Sequence, residues 1–286
     1  MNDRLAFVLG GGGARGAMQV GALRALFEAG MQPDLLVGSS IGAVNATGLA
    51  LWGVNGEGVD KLEQTYDEVA EANLMDPRLP LLALRALSGR PSSEANRRVA
   101  SFLMSRGLAP DLRFDEVGAV RLALIGSDLD AGDLIIYGED PGHLVLDGLM
   151  ASIALPPWFA PVQEAGHVVM DGGILSNLPI EPAMTLGATK ILALDLDDPR
   201  AMPAQEHMLG RYLAKLVFAL SRRHIALETA LAEAEGIPLQ HIALRSPEPV
   251  PIWDFTRAGA LIQIGYDIAS RQIEAIRAAL GLSEEI

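Results

Sequence analysis

Apolar residues along this 286-residue chain fall into two alternating patterns. Leu5-Ala6-Phe7-Val8-Leu9 is an unbroken apolar run that ends in Gly10 to Gly13, and Leu35-Leu36-Val37 is another that stops at Gly38. Runs this short, bounded by glycine, predict strands buried on both faces of a parallel sheet. Between them Ala17, Val20, Leu23, Leu26 and Phe27 recur at spacings of three and four, the stripe of a helix, and Gly30 offers the left-handed residue that ends one. A second helix, rich in Ala, Val and Leu, is predicted to start just after Ser40. Further strands are predicted at 121–125, 134–137, 168–170, 191–194 and 240–244, and helical patterns at 58–74, 94–107, 205–234 and 257–280. This alternation builds an α/β fold, a parallel sheet with helices on its faces. No fixed-period repeat or long low-complexity linker divides the chain, so residues 1–286 are expected to form one domain, with motifs in 5–200 and a helical portion in 201–286.

Composition narrows the class. Half the residues are hydrophobic and a fifth charged, which excludes disordered, collagen-like and coiled-coil chains. With no cysteine there is no disulfide scaffold, thiolate metal site or cysteine nucleophile. A net charge of −14 argues against a nucleic-acid partner, because such binding needs Lys and Arg to neutralise phosphates. The start lacks the apolar region and basic flank of a secretory signal, and no long apolar run is present to span a bilayer, so a soluble cytoplasmic protein is expected. Residues 77–98 reverse the charge sign: Arg78, Arg85, Arg90, Arg97 and Arg98 outnumber Glu94, amid Leu79, Leu81, Leu82, Leu84 and Leu87. The simpler reading is a buried helix with solvated arginines, and the functional one is a lid or a surface that touches anionic lipid headgroups.

Candidate chemistry sits at the ends of predicted strands. Gly38-Ser39-Ser40-Ile41-Gly42 fits G-x-S-x-G, a strand-to-helix turn whose glycines permit a bend that holds one serine hydroxyl out of the sheet. Ser40 is therefore the candidate nucleophile, against the alternative of an inert serine in a glycine-lined turn. Gly11-Gly12-Gly13-Ala14-Arg15-Gly16 satisfies G-x-G-x-x-G, but the nucleotide readings fail. A dinucleotide fold wants an acid at the end of the second strand, where Asp34 stands at the wrong end, and a P-loop wants Lys and Ser or Thr where Ala17 and Met18 stand. The loop can instead present the backbone N–H groups of Gly11, Gly12 and Gly13 at a helix start, as an oxyanion hole.

A serine needs a base. His143, His167, His207, His224 and His241 are dispersed, and none has a persuasive context. Asp171, at the end of 168–170 and followed by Gly172 and Gly173, is the better candidate, although a carboxylate needs desolvation and a short hydrogen bond to serve as a base. A structural aspartate in a Gly-Gly turn is its alternative. The scattered histidines and the lack of a calcium-spaced acidic cluster imply no metal and no cofactor.

Together these motifs resemble the patatin-like phospholipase family, whose pattern is a G-G-G-x-[KR]-G loop, a G-x-S-x-G elbow and a D-G-[GA] segment in that order. The resemblance continues through Ala151-Ser152-Ile153-Ala154-Leu155-Pro156 to Phe159-Ala160-Pro161, and in Asn177-Leu178-Pro179. It covers most of 5–194 and is nearest to the family's small bacterial forms. It implies a three-layer α/β/α fold with a mainly parallel central sheet. It also implies lipid acyl hydrolysis by a Ser–Asp dyad, Ser40 and Asp171, through an acyl-enzyme. Gly11, Gly12 and Gly13 would take the oxyanion role and Arg15 a phosphate-facing, substrate-binding one. The implied partner is a lipid or acyl-ester substrate, with peripheral membrane contact and self-association as open expectations. Leu79 to Leu87 with Trp158 and Phe159 would line an acyl groove, although both aromatics fit a core equally well. A broad-specificity carboxylesterase, a serine peptidase and a non-catalytic lipid-binding protein are the alternatives.

Overall fold

The computed structural model describes residues 3–72, 93–201 and 208–282; the leucine-rich stretch 79–87 and His207 lie outside them. Among the described residues, strands β1 (Leu5–Leu9), β2 (Leu35–Ser39), β3 (Arg121–Asp128), β4 (Asp133–Tyr137), β5 (Val162–Glu164), β6 (His167–Asp171), β7 (Lys190–Asp195) and β8 (Leu239–Ala243) join in one sheet. β8, β7, β1, β2 and β3 pair parallel in that order, whereas β4 and β6 each pair antiparallel with β3, and β5 with β6. The strands expected at 134–137 and 168–170 therefore break the parallel alternation. The short loop 129–132 between β3 and β4 leaves no room for a crossover, so a hairpin is the geometry available.

Both faces of the sheet are covered. Along β1, Leu5, Phe7 and Leu9 enter one apolar core while Ala6 and Val8 enter another, which is why the strand reads as a continuous apolar run. The first core is filled by α1 (Gly16–Glu28), α2 (Ile41–Trp52), α3 (Gly56–Ala72), α4 (Ser93–Ser105), α5 (Val145–Ser152), α8 (Ala258–Ser270) and α9 (Ile273–Leu280). The second is thinner and is closed by α6 (Ile180–Thr185) and α7 (Met208–Ala234), through Ile180, Ala183, Ile225 and Ala232. The helix expected over 257–280 is two: a turn at Arg271-Gln272, where Gln272 N–H reaches Ala269 O, re-aims α9 so that Ile276 and Leu280 are buried. No helix among the described residues is long and apolar enough to cross a membrane.

β3 is longer than its neighbours, and two strands share one of its edges. Arg121 N–H donates to Asp34 O just before β2, and Leu129 N–H donates to Val168 O in β6. Residues an even number apart on a strand point their N–H groups to the same edge, so β2 and β6 lie on the same side of β3. β2 runs alongside until Ser39 stands opposite Ile125; β6 runs the other way until Asp171 stands opposite Gly126. Their carboxyl ends meet head-on.

The turn after β2 is tight because α2 starts against the end of β1. A methyl group added to Gly42 would fall inside the contact distance of Leu9 O and Gly10 O, both backbone atoms. Gly42→Ala is expected to cost about 1–3 kcal/mol by overpacking, and thermal denaturation followed by circular dichroism should show a midpoint several degrees lower.

Candidate active site

Ser40 caps the start of α2 at φ 56° and ψ −124°, a left-handed backbone that a non-glycine residue holds only at a cost of about 1–3 kcal/mol. Its Oγ donates to Asp171 Oδ2 over 2.7 Å. The other carboxylate oxygen, Oδ1, accepts the Gly173 N–H at 2.8 Å, so the glycine turn after β6 clamps the acid from behind. Asp171 is 3% exposed, and burial pushes its carboxyl up to about 6, against the two hydrogen bonds that favour the charged form. A carboxylate in this state is a far better proton acceptor than one in water.

One short segment ties both partners. Ser152 Oγ accepts the Ser40 N–H at 3.1 Å, and Ala154 O accepts the Asp171 N–H at 3.0 Å. Ser127 Oγ, fully buried on β3, donates to Asp171 O at 2.9 Å. None of these three was assigned a role from the sequence; the signal for two of them was the Ala151-Ser152-Ile153-Ala154 block.

The glycine loop lies against the pair. A methyl on Gly11 would stand 3.0 Å from Ser40 Cβ, so only a glycine lets the loop approach this closely. Gly13 takes φ 57° and abuts Ile252 O, a second position closed to a side chain. The Gly11 N–H donates to Asn177 O at 2.9 Å, so it is committed to the fold, whereas those of Gly12 and Gly13 meet no protein acceptor among the described residues. Beneath the loop runs a buried polar chain that sequence reasoning missed. Tyr66 OH donates to Asn45 Oδ1, Asn45 Nδ2 to Gln19 Oε1, and Gln19 Nε2 to Gly10 O and Leu194 O, at 2.9–3.1 Å. Nothing in their helical spacing marked these residues as a network.

Arg15 follows the loop and is 7% exposed. Its Nε donates to Gly12 O at 3.1 Å, and its buried Nη1 has no acceptor among the described residues. Burial lowers the guanidinium's affinity for its proton, and Asp197, Asp198 and Asp195 oppose that. Asp197 is itself pushed up to about 6, by desolvation and then by Asp195. Ser40, Asp171, Arg15 and Asp197 all face a cavity of about 290 Å³ whose remaining walls are largely apolar, among them Val69, Val99, Leu103, Phe159 and Phe218. Phe159 thus joins the cavity, while Trp158 stacks on Trp253 at 6.0 Å between ring centres. The described histidines stand elsewhere: His167 pairs with Asp128 at 2.6 Å and His241 with Asp195 at 3.0 Å, and none lines the cavity.

The buried acid has a measurable signature. An aspartate in the unfolded chain titrates near about 3.9, and Asp171 in the folded chain at about 6, so between these values the fold holds the extra proton. Its stabilising contribution is complete below the lower value and is lost as pH rises through the upper one. Asp171→Asn, which can keep both hydrogen bonds, should abolish that loss. Its stability relative to the parent should rise by on the order of 2 kcal/mol between about pH 4 and pH 7, read from denaturant unfolding, with Asp197 titrating alike in both chains.

Residues 7–184 match the family model for patatin-like phospholipase. The chain is 29% identical over 197 residues to Patatin-like phospholipase domain-containing protein 7 of Rattus norvegicus, covering 68% of this chain and 14% of that protein. It is 31% identical over 232 residues to an uncharacterised NTE family protein of Mycobacterium bovis, covering 77% of this chain and 57% of that protein. It thus spans less than two thirds of the length of either relative. Among solved structures, human GIVD cytosolic phospholipase A2 superposes over 98% of this chain and 60% of its own at a TM-score of 0.52 and 12% identity, a likeness of fold. With the family model spanning more than half of its residues, the chain belongs to the patatin-like phospholipase family.

Proposed function

We propose that this protein hydrolyses the carboxylic ester of a phospholipid or lysophospholipid, with Ser40 as nucleophile and Asp171 as the proton carrier. The observation that carries the reading is the 2.7 Å hydrogen bond between a strained serine and a desolvated carboxylate facing an apolar cavity. Family membership and relatives named for phospholipase activity support the same chemistry.

Asp171 takes the hydroxyl proton as Ser40 Oγ bonds to the ester carbon, and the carbonyl electrons move onto oxygen. The N–H groups of Gly12 and Gly13, with the start of α2 behind Ser40, stabilise that oxyanion; losing one such donor costs about 3 kcal/mol of barrier. As the carbonyl re-forms, the bond to the alkoxide breaks and Asp171 returns its proton to the leaving alcohol. Water then repeats the sequence on the acyl-enzyme: Asp171 takes a proton from water, hydroxide bonds to the acyl carbon, and the fatty acid leaves as Ser40 is reprotonated. Arg15 directs its uncommitted Nη1 toward the anionic part of the substrate, and the apolar walls take the acyl chain.

A fluorophosphonate probe should label the parent chain and leave Ser40→Ala unlabelled; equal labelling of both would sink the assignment. Ser40→Ala and Asp171→Asn should each lower phospholipid turnover by at least about a thousandfold, while replacing each histidine singly should leave most of it. Because the proton carrier must begin ionised, the pH profile should rise through about 6, the value burial gives Asp171. A headgroup and chain-length panel, run beside a p-nitrophenyl ester, separates a phospholipase from a general carboxylesterase.

A further inference from the structure

α7 presents apolar side chains to solvent as well as to the core. Ser221, Ile225 and Ala232 turn inward, and Glu228 anchors the helix by accepting from Ser176 Oγ and from the Ile180 and Glu181 N–H groups at 2.8–3.0 Å. On the opposite side Leu216, Leu220, Leu227 and Leu231 recur at helical spacing and are 55%, 47%, 47% and 40% exposed. Four large aliphatics in one outward stripe are uncommon on a soluble surface.

The charge on this helix is likewise opposite in sign to that of the chain as a whole. From Met208 to Leu227 the sequence carries Arg211, Lys215, Arg222 and Arg223 and no acid, within a chain of net charge −14. The acids that follow on the helix are Glu228, which is turned inward, and Glu233 near its end. Lys215, Arg222 and Arg223 are exposed and flank the leucines. The stripe also continues into the site: Val217, 58% exposed, and its neighbour Phe218 both line the cavity that holds Ser40.

We propose that the outward face of α7 is the surface on which this protein docks to an anionic lipid bilayer. Basic side chains meet the headgroups, leucines enter the boundary with the acyl chains, and Val217 and Phe218 carry the apolar path on to the cavity. The proposal rests on the reading of the protein as a lipid hydrolase, since it explains how an acyl chain leaves a membrane without crossing water. A strongly acidic chain is repelled by a negative surface, so it needs a local cluster of cations to approach one, and α7 supplies it.

The test is co-sedimentation of the whole chain with vesicles, using Ser40→Ala as the background so that the lipid stays intact whatever the role of Ser40. Vesicles of phosphatidylcholine with about 30% phosphatidylserine should pellet the protein and phosphatidylcholine alone should not, with binding weakened as salt rises from about 0.1 to 0.5 M. Leu216→Ser with Leu220→Ser should reduce binding by about tenfold or more, and Arg223→Glu by roughly tenfold, each with an unchanged thermal midpoint. Absence of binding to the anionic vesicles, or binding by the leucine variant equal to that of its parent, overturns the proposal. So does a dimer in light scattering that the leucine variant abolishes without any change at vesicles, since a second copy would then be the occupant. Vesicle binding together with a parent chain that cleaves no lipid ester would refute the hydrolase reading and leave the docking surface standing.

Discussion

The edge of β3 is divided between two strands that approach from opposite directions, and the rest of the site depends on that division. β2 delivers Ser40 from one end and β6 delivers Asp171 from the other, and the register of β3 sets the gap between them at adjacent positions, Ile125 and Gly126. A hydroxyl on a strained turn and a carboxylate stripped of water are each unfavourable alone. They persist because β2 and β3, against which both turns are set, are buried on both faces, with Leu35, Val37, Ala123 and Ile125 fully enclosed. Strain and desolvation brought together in one contact are the physical mark of a site arranged for a reaction.

The cavity lining is of two kinds. Most of it is apolar and suits hydrocarbon; Arg15, Asp197, Ser40 and Asp171 supply its charged and polar groups, with the glycine loop against Ser40. In low dielectric, fixed dipoles act on a developing charge far more strongly than water would, provided they cannot swing away. The buried sequence Tyr66, Asn45, Gln19 meets that condition by holding Gly10 O against the end of β7. Each polar group in it has a partner, so it stiffens the loop without leaving an uncompensated charge inside.

Much of this was legible in the sequence, for reasons that can be named. Leu5–Leu9 and Leu35–Ser39 read as strands because burial on both faces writes an unbroken apolar run. Ser40 and Asp171 stood out because each follows such a run and is flanked by glycines that permit a sharp turn. Pairing direction was not legible: a short apolar run looks the same in either sense, so the antiparallel placement of β6 and the three-residue β5 went unread. Nor could the chain announce that the Gly11 N–H is spent on Asn177 O, a partner far along the sequence. Apolar residues at helical spacing predicted α7, yet spacing cannot say which face a neighbour covers, and the outward stripe emerged only from exposure.

Ser152 Oγ and Ala154 O grip Ser40 and Asp171 through their backbone N–H groups, so the segment they belong to cannot shift without moving both. Val69 of α3, Val99 and Leu103 of α4 and Phe218 of α7 meet the same cavity through apolar side chains, which can hydrogen-bond to neither residue. In the proposed reaction, adaptation to longer, shorter or branched acyl chains falls to these side chains, which can repack without breaking a hydrogen bond to Ser40 or Asp171. One part of the lining is a fixed jig for Ser40 and Asp171, and the other is an adjustable gauge for the proposed substrate.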